Sequence, residues 1–175
     1  SSISSLGAAN GQSAPEFDEK DCAYWYQNEK LYIWAREVEG NKEDHQVKCT
    51  LWSLNFPKKK NNPMTTATWS SKGLYEFEGQ PVVLYSESSA TVDETTGLVY
   101  IYGGWHDEFY WMTMCDRGMS SLNGRYNRLL LEVDVANNTL RAVETATKCT
   151  GPSLRSKSVL AADNGKVVVY GGYTT

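Results

Sequence analysis

The chain has 175 residues, 41% hydrophobic, 22% charged and 12% aromatic, with 21 Asp and Glu against 17 Lys and Arg. That length holds one domain with a proper core but not two large ones, and the composition excludes a disordered chain. The slight acidic excess gives a nucleic-acid partner no electrostatic support, and no apolar run approaches the roughly 20 residues of a membrane helix.

Taken in order, residues 1–16 read as a flexible Ser/Gly/Ala tail without the basic-then-apolar layout of a signal peptide. CAYWY (Cys22 to Tyr26), the turn QNEK and KLYIWAR (Lys30 to Arg36) then predict two strands and a hairpin. TLWSLNF (Thr50 to Phe56) and TATW (Thr66 to Trp69) predict two more strands. Between them, Pro57 to Pro63 with its three lysines reads as a solvated hairpin tip. The series resumes with SSATV, the turn ETTG and LVYIYGG (Leu98 to Gly104). A long insertion follows, Trp105 to Tyr126, and then LLLEVDV (Leu129 to Val135), ANN and TLRAV (Thr139 to Val143). In LEVDV the residues Leu131, Val133 and Val135 alternate with Glu132 and Asp134, the period of two of a strand with one buried face. KSVLA, ADNG and KVVVYGG (Lys166 to Gly172) bring the chain close to its last residue, and no segment shows a sustained helical period.

These elements repeat. Gly171 stands 171 − 103 = 68 residues after Gly103, and a further step of 68 back from Gly103 lands on Ala35 in KLYIWAR. Each repeat is strand, turn, strand, and the first two continue into a third and fourth strand. The expected fold is therefore all-β, built of four-stranded antiparallel sheets of the kind that form propeller blades. The paired glycines Gly103–Gly104 and Gly171–Gly172 supply positive φ and room for close approach of a neighbouring backbone.

Strand, turn and strand ending in Gly-Gly, the run Asn127 to Asp134 with its acids, and then Pro152 and Arg155 before the next first strand resemble the kelch repeat. The likeness covers most of the chain from Cys22 onward. It departs at Ala35–Arg36, where Gly-Gly is expected, and at Leu140, where a kelch Trp is usual; Trp69 fills that place in the first repeat. The resemblance implies an incomplete kelch-type propeller: blade 1 over 17–87, blade 2 over 88–150 with a long loop 105–126, and the start of blade 3 over 151–175. About 6 × 68 = 408 residues would close a ring of six, so the expectation is that truncation, cleavage or disorder has removed the remaining blades, or that a protein partner includes a chain supplying them. The strand Val167 to Tyr170 is expected to pair with Ser156 to Ala161 and leave an edge for another polypeptide.

The resemblance also implies recognition of a protein or ligand through the loop face. Trp105, His106, Asp107, Tyr110, Trp111 and Arg155 are the candidate binding residues, because long aromatic loops on a rigid scaffold make binding sites. The alternative use of Trp111 and Met112 is to cover a blade edge. Carbohydrate is a possible ligand, since exposed Trp and Tyr rings stack on sugars. An alternative function is a carbohydrate-active or galactose-oxidase-like enzyme whose active site lies mostly on other blades. Tyr110, Cys115 and His106 share one loop, but His45 and His106 are the only histidines, so a site built from several imidazoles is absent from this chain. The iron-binding spacing of specifier-type kelch proteins also fails, with Asn41 between Glu37 and His45 where Asp is required. No catalytic residue, metal or cofactor is assigned. Cys22, Cys49, Cys115 and Cys149 lack zinc spacing. Two disulfides or four buried thiols fit the count, and the blade layout suggests the pairs Cys22–Cys49 and Cys115–Cys149. With the sequon at Asn137, disulfides favour a secreted or lumenal glycoprotein; reduced thiols favour a cytoplasmic one.

Overall fold

A computed structural model describes residues 15, 18–39, 46–56, 67–72, 75–76, 86–105, 130–143, 152–153 and 155–174. One 3-10 turn, Glu19–Asp21, precedes the first strand, with the Asp18 carboxylate accepting from the Lys20 N–H at its start. All the other regular elements described are strands. Sheet 1 holds β1 (Cys22–Gln27), β2 (Lys30–Glu39), β3 (Gln46–Asn55) and β4 (Thr68–Lys72) in that spatial order, every neighbour antiparallel. The short β5 (Tyr75–Glu76) leaves sheet 1 and runs parallel to the last strand of the next sheet. Sheet 2 comprises β6 (Ser89–Asp93), β7 (Leu98–Tyr102), β8 (Leu130–Asp134) and β9 (Thr139–Val143), again antiparallel, with β5 on its outer edge. Sheet 3 is the hairpin of β10 (Val159–Asp163) and β11 (Lys166–Tyr170).

The fold is all-β, as the alternation in the sequence predicts. In β8 the burial runs half-buried, buried, half-buried, buried, half-buried, with Leu131 and Val133 inside. The 68-residue spacing holds for the second strands, 98 − 30 = 68 and 166 − 98 = 68, but not for the first. The ends of the first strands are 93 − 27 = 66 and 163 − 93 = 70 apart. The difference lies in the turns: Asn28–Glu29 and Asn164–Gly165 have two residues, all at positive φ, whereas 94–97 has four. Two-residue turns with both φ positive match the twist of a hairpin. In sheet 3 the pairing is Val159 with Tyr170 through Asp163 with Lys166, and Ser156 bridges Tyr173 instead. The strand expected at Ser156 to Ala161 therefore begins three residues later and extends into the predicted turn.

The three sheets stack through their first strands, β6 lying against β1 on one side and β10 on the other. Ala23, Trp25, Tyr32, Trp34 and Leu51 of sheet 1 share one core with Val99, Ile101, Leu131, Val133 and Leu140 of sheet 2. The rings of Trp25 and Tyr32 stack in it with centroids 5.7 Å apart. Burying such side chains contributes roughly 1.5–3 kcal/mol each before the entropy cost of ordering them, so this interface is the main stabilising element. The opposite face of sheet 1 carries its own cluster: Cys22, Ile33, Ala35, Leu54, Ala67 and Trp69.

Glycine placement decides where the second strands stop. β7 and β11 are each five residues long and end just before Gly103 and Gly171. Ala35 and Arg36 occupy the matching positions in sheet 1, and there β2 continues to Glu39, ten residues in all, paired with β3 as far as Gln46. Without a positive-φ pair to turn the chain, the ladder runs on.

Candidate functional site at the loop end

The segments leading into the three first strands and the glycine pairs gather at one end of the stack. The Lys20 carbonyl accepts from the Glu87 N–H at 2.6 Å, and the Glu87 carbonyl accepts from the Lys157 N–H at 3.1 Å, so a backbone chain links the three entries. Trp105 donates its N–H to the Ser86 carbonyl at 2.9 Å, and Tyr173 repeats this on Ser156 at 2.9 Å. Gly104 donates to the Arg155 carbonyl at 2.9 Å. A Cβ on Gly103 would overlap that same carbonyl, and one on Gly172 would stand 2.6 Å from the Ser156 carbonyl. With φ of +78° and +88° at these two positions, glycine is required on both counts. Gly103 and Gly104 thus lie against the entry segment of sheet 3, and Gly172 against the same segment from within its own sheet.

Two ion pairs lie at this end among the described residues. Arg36, only 5% exposed, donates to the Asp21 carboxylate at 3.2 Å and to the Ser86 hydroxyl at 2.8 Å, and Ser86 donates in turn to Asp21. Arg36 replaces a glycine of the repeat and uses its length to tie sheet 1 to the entry of sheet 2. Lys157 pairs with Glu87 at 3.1 Å and lies over the Tyr173 ring at 5.8 Å.

The other end of the stack is held by the hairpin turns. Gln27, the last residue of β1, donates its side-chain amide to the Gly97 carbonyl at 2.7 Å. Asp93, the last residue of β6, is fully buried and accepts from the Gly165 N–H of the next turn at 2.7 Å and from its own Thr95 and Thr96 N–H groups. The Gly165 hydrogen bond is the chief cause holding the Asp93 carboxyl below the ordinary aspartate range, against burial, which pushes it up. In the sequence Asp93 stands between SSATV and the turn ETTG with no role assigned to it; only its 72-residue reach to Gly165 reveals one.

Of the candidate binding residues, Trp105 and Arg155 are brought together through Gly104, one bonded to Ser86 and the other accepting the Gly104 N–H. The Arg155 guanidinium donates to the Ser153 carbonyl at 3.0 Å, the Ser153 hydroxyl at 2.5 Å and the Gly171 carbonyl at 2.6 Å. Its first use is to hold the third repeat's glycine pair. His106, Asp107, Tyr110, Trp111 and Cys115 lie outside the described residues, as do Cys149, His45 and the lysines of 57–63. Asn137 is exposed in the β8–β9 turn, where its side chain donates to Asp134 at 2.7 Å. Among the described residues no group of three or more His, Cys, Asp or Glu could hold a metal ion. No helix among them is long and apolar enough to cross a membrane.

The expected Cys22–Cys49 disulfide is not formed. Cys22 sits opposite Ala35 and Cys49 opposite Arg36, with β2 between them. Two strand spacings separate their backbones by about 9.6 Å, beyond the roughly 4.4–6.8 Å a disulfide spans. Their side chains also belong to opposite faces of sheet 1, Cys22 with Ile33 and Ala35, Cys49 against the core of Trp34 and Leu51. Strand alternation, invisible when only loop positions are compared, keeps them apart.

No family model matches the chain, and no curated protein matches it. Among solved structures, one titled "Structure of YjhT" superposes with a TM-score of 0.47 at 14% identity. The match covers 80% of this chain and 40% of that one, so the chain spans less than half that structure's length.

Proposed function

We propose that the chain is a run of kelch-type propeller blades, blade 3 incomplete within it, whose loop end recognises a protein partner. The observation carrying this reading is the pinning of Trp105. Its backbone bond to Ser86 fixes where the segment 106–129 leaves sheet 2, at the end where all three entry segments converge. A long loop rich in Trp, Tyr and Met, anchored on rigid sheets, suits capture of an apolar, aromatic-accepting protein surface. Among the described residues of that end, Arg36 is paired with Asp21 and Lys157 with Glu87, which favours recognition by shape and aromatic contact. A secreted or lumenal site, glycosylation at Asn137 and a second chain carrying further blades belong to the same proposal.

The test is to replace residues 106–126 by a short Gly/Ser linker. The far-ultraviolet spectrum and Tm stay within a few degrees of the parent chain, while binding to a partner identified by cross-linking and mass spectrometry is lost. If the replacement unfolds sheet 2, the insertion is a structural cover and the recognition reading falls. Stoichiometric copper or iron in the purified protein would assign the scaffold to an enzyme instead.

A further inference from the structure

Equivalent positions of the three sheets have sharply different exposure. Tyr32 and Trp34 of β2 are 6% and 1% exposed beneath sheet 2. Their counterparts 68 residues on, Tyr100 and Tyr102 of β7, are 6% and 4% exposed. One further step reaches Val168 and Tyr170 of β11, which are 62% and 78% exposed. Val159 is exposed on the same face, since it pairs with Tyr170 as Ala161 pairs with Val168. The turn contacts show the same progression. Gln27 reaches the turn of sheet 2, Asp93 reaches the turn of sheet 3, and the next residue in the series is Asp163. Asp163 shares the exposed face, and one of its oxygens accepts the Thr95 hydroxyl at 3.2 Å.

We infer that the outward face of sheet 3 is the seat of a fourth sheet of the same repeat, whose first hairpin donates a turn N–H to the Asp163 carboxylate. This rests on the repeat reading proposed above and adds to it a docking residue and a register. Continuity carries it: two successive interfaces bury the same positions and place a bond at the same turn. At the third the matching positions are exposed and Asp163 stands at the matching place, one oxygen accepting the Thr95 hydroxyl. A strand partner for β11 belongs to the same addition, because β2 and β7 each pair with a third strand and β11 has none among the described residues. Sheet 1 of a second copy is a poorer occupant. The N–H matching those that Glu87 and Lys157 donate to the preceding sheet is that of Lys20, and it is already bonded to Asp18.

A chain extended by its own repeat provides the test: residues 1–173 followed by a second copy of residues 106–175. That extension supplies copies of β8 and β9 to complete sheet 3 and a copy of the β10–β11 hairpin as the fourth sheet. The extended chain melts cooperatively, and Asp163→Asn lowers its Tm by about 4 °C, while the same substitution moves the 175-residue chain by less than about 1 °C. Equal effects in both chains would overturn the docking role of Asp163 and leave the propeller reading standing. An added repeat that is digested by protease and adds no strand signal would overturn the propeller reading itself. Self-association of the unextended chain, abolished by Tyr170→Asp, would assign the face to a second copy and overturn the inference.

Discussion

Single residues in this protein divide by what lies next to them rather than by type. Gly97 and Gly103 both have φ near +75°, yet a Cβ at Gly97 meets nothing within 4 Å and one at Gly103 meets the Arg155 carbonyl. Gly97→Ala is therefore expected to cost about 1 kcal/mol, the left-handed backbone term alone. Gly103→Ala should cost about 3 kcal/mol or more, because backbone must move as well. Urea midpoints of the two variants check this, and equal shifts would refute the contact. Asp93 supplies a pH signature. Its carboxyl is depressed in the folded chain, first by the Gly165 N–H, so the folded state binds the proton less readily than the unfolded one. Its stabilisation is fully present above the unfolded value of about 3.9 and disappears as pH falls through the lower folded value. Asp93→Asn should accordingly lose stability at pH 7 and narrow its difference from the parent chain by pH 3 in denaturant titrations. A constant difference across that range would mean the carboxylate charge is not what matters.

At the scale of elements, the ion pairs and the inter-sheet core give opposite lessons about counting interactions. Arg141 pairs with Glu132 at 2.6 Å across β8 and β9, but its side chain is 57% exposed. Arg141→Ala should change stability by about 0.5 kcal/mol. Arg36 is buried, and its removal leaves Asp21 and Ser86 at the junction of two sheets without their cation. Arg36→Ala should cost about 3 kcal/mol; thermal denaturation of both variants separates the cases, and similar losses would contradict the burial argument. Within the sheet 1–sheet 2 core, Leu131 is 1% exposed. Leu131→Ala should cost about 2–5 kcal/mol and, because the core is shared, should unfold both sheets in one transition. Two resolved transitions in calorimetry would show the sheets to be independent.

For the molecule as a whole, the stack is directional. Sheets 1 and 2 each present an aromatic or aliphatic face to the sheet that follows and close the joint with bonds at both ends of the first strand. Gln27 and Asp93 do this at the turn end, and the Lys20 and Glu87 carbonyls at the entry end. The connection after β4 adds a third tie on the rim: Tyr75–Glu76 extends sheet 2, and Lys72 donates to the Val135 carbonyl at 3.1 Å. Among the described residues, sheets 1 and 2 are thus tied at three places around their common core, and sheets 2 and 3 at both ends of the first strand.

Period-two alternation, the 68-residue spacing and the Gly-Gly ends were sufficient to find the hairpins and the four antiparallel strands of sheets 1 and 2, because these depend on neighbours within a few residues. The bounds of β2, β3 and β10 and the parallel strand β5 were not legible that way. The same local logic marked Trp105, Arg155 and the glycines as special without saying what each touches. Sheet faces are a different matter. That Cys22 and Cys49 point apart, that β2 runs on past Ala35–Arg36, and that Asp93 bonds Gly165 are decided by contacts between segments up to 72 residues apart. The exposed Val168 and Tyr170 belong to that second class: in sequence they repeat Tyr100 and Tyr102, and only the tertiary structure distinguishes a face already covered from one still open.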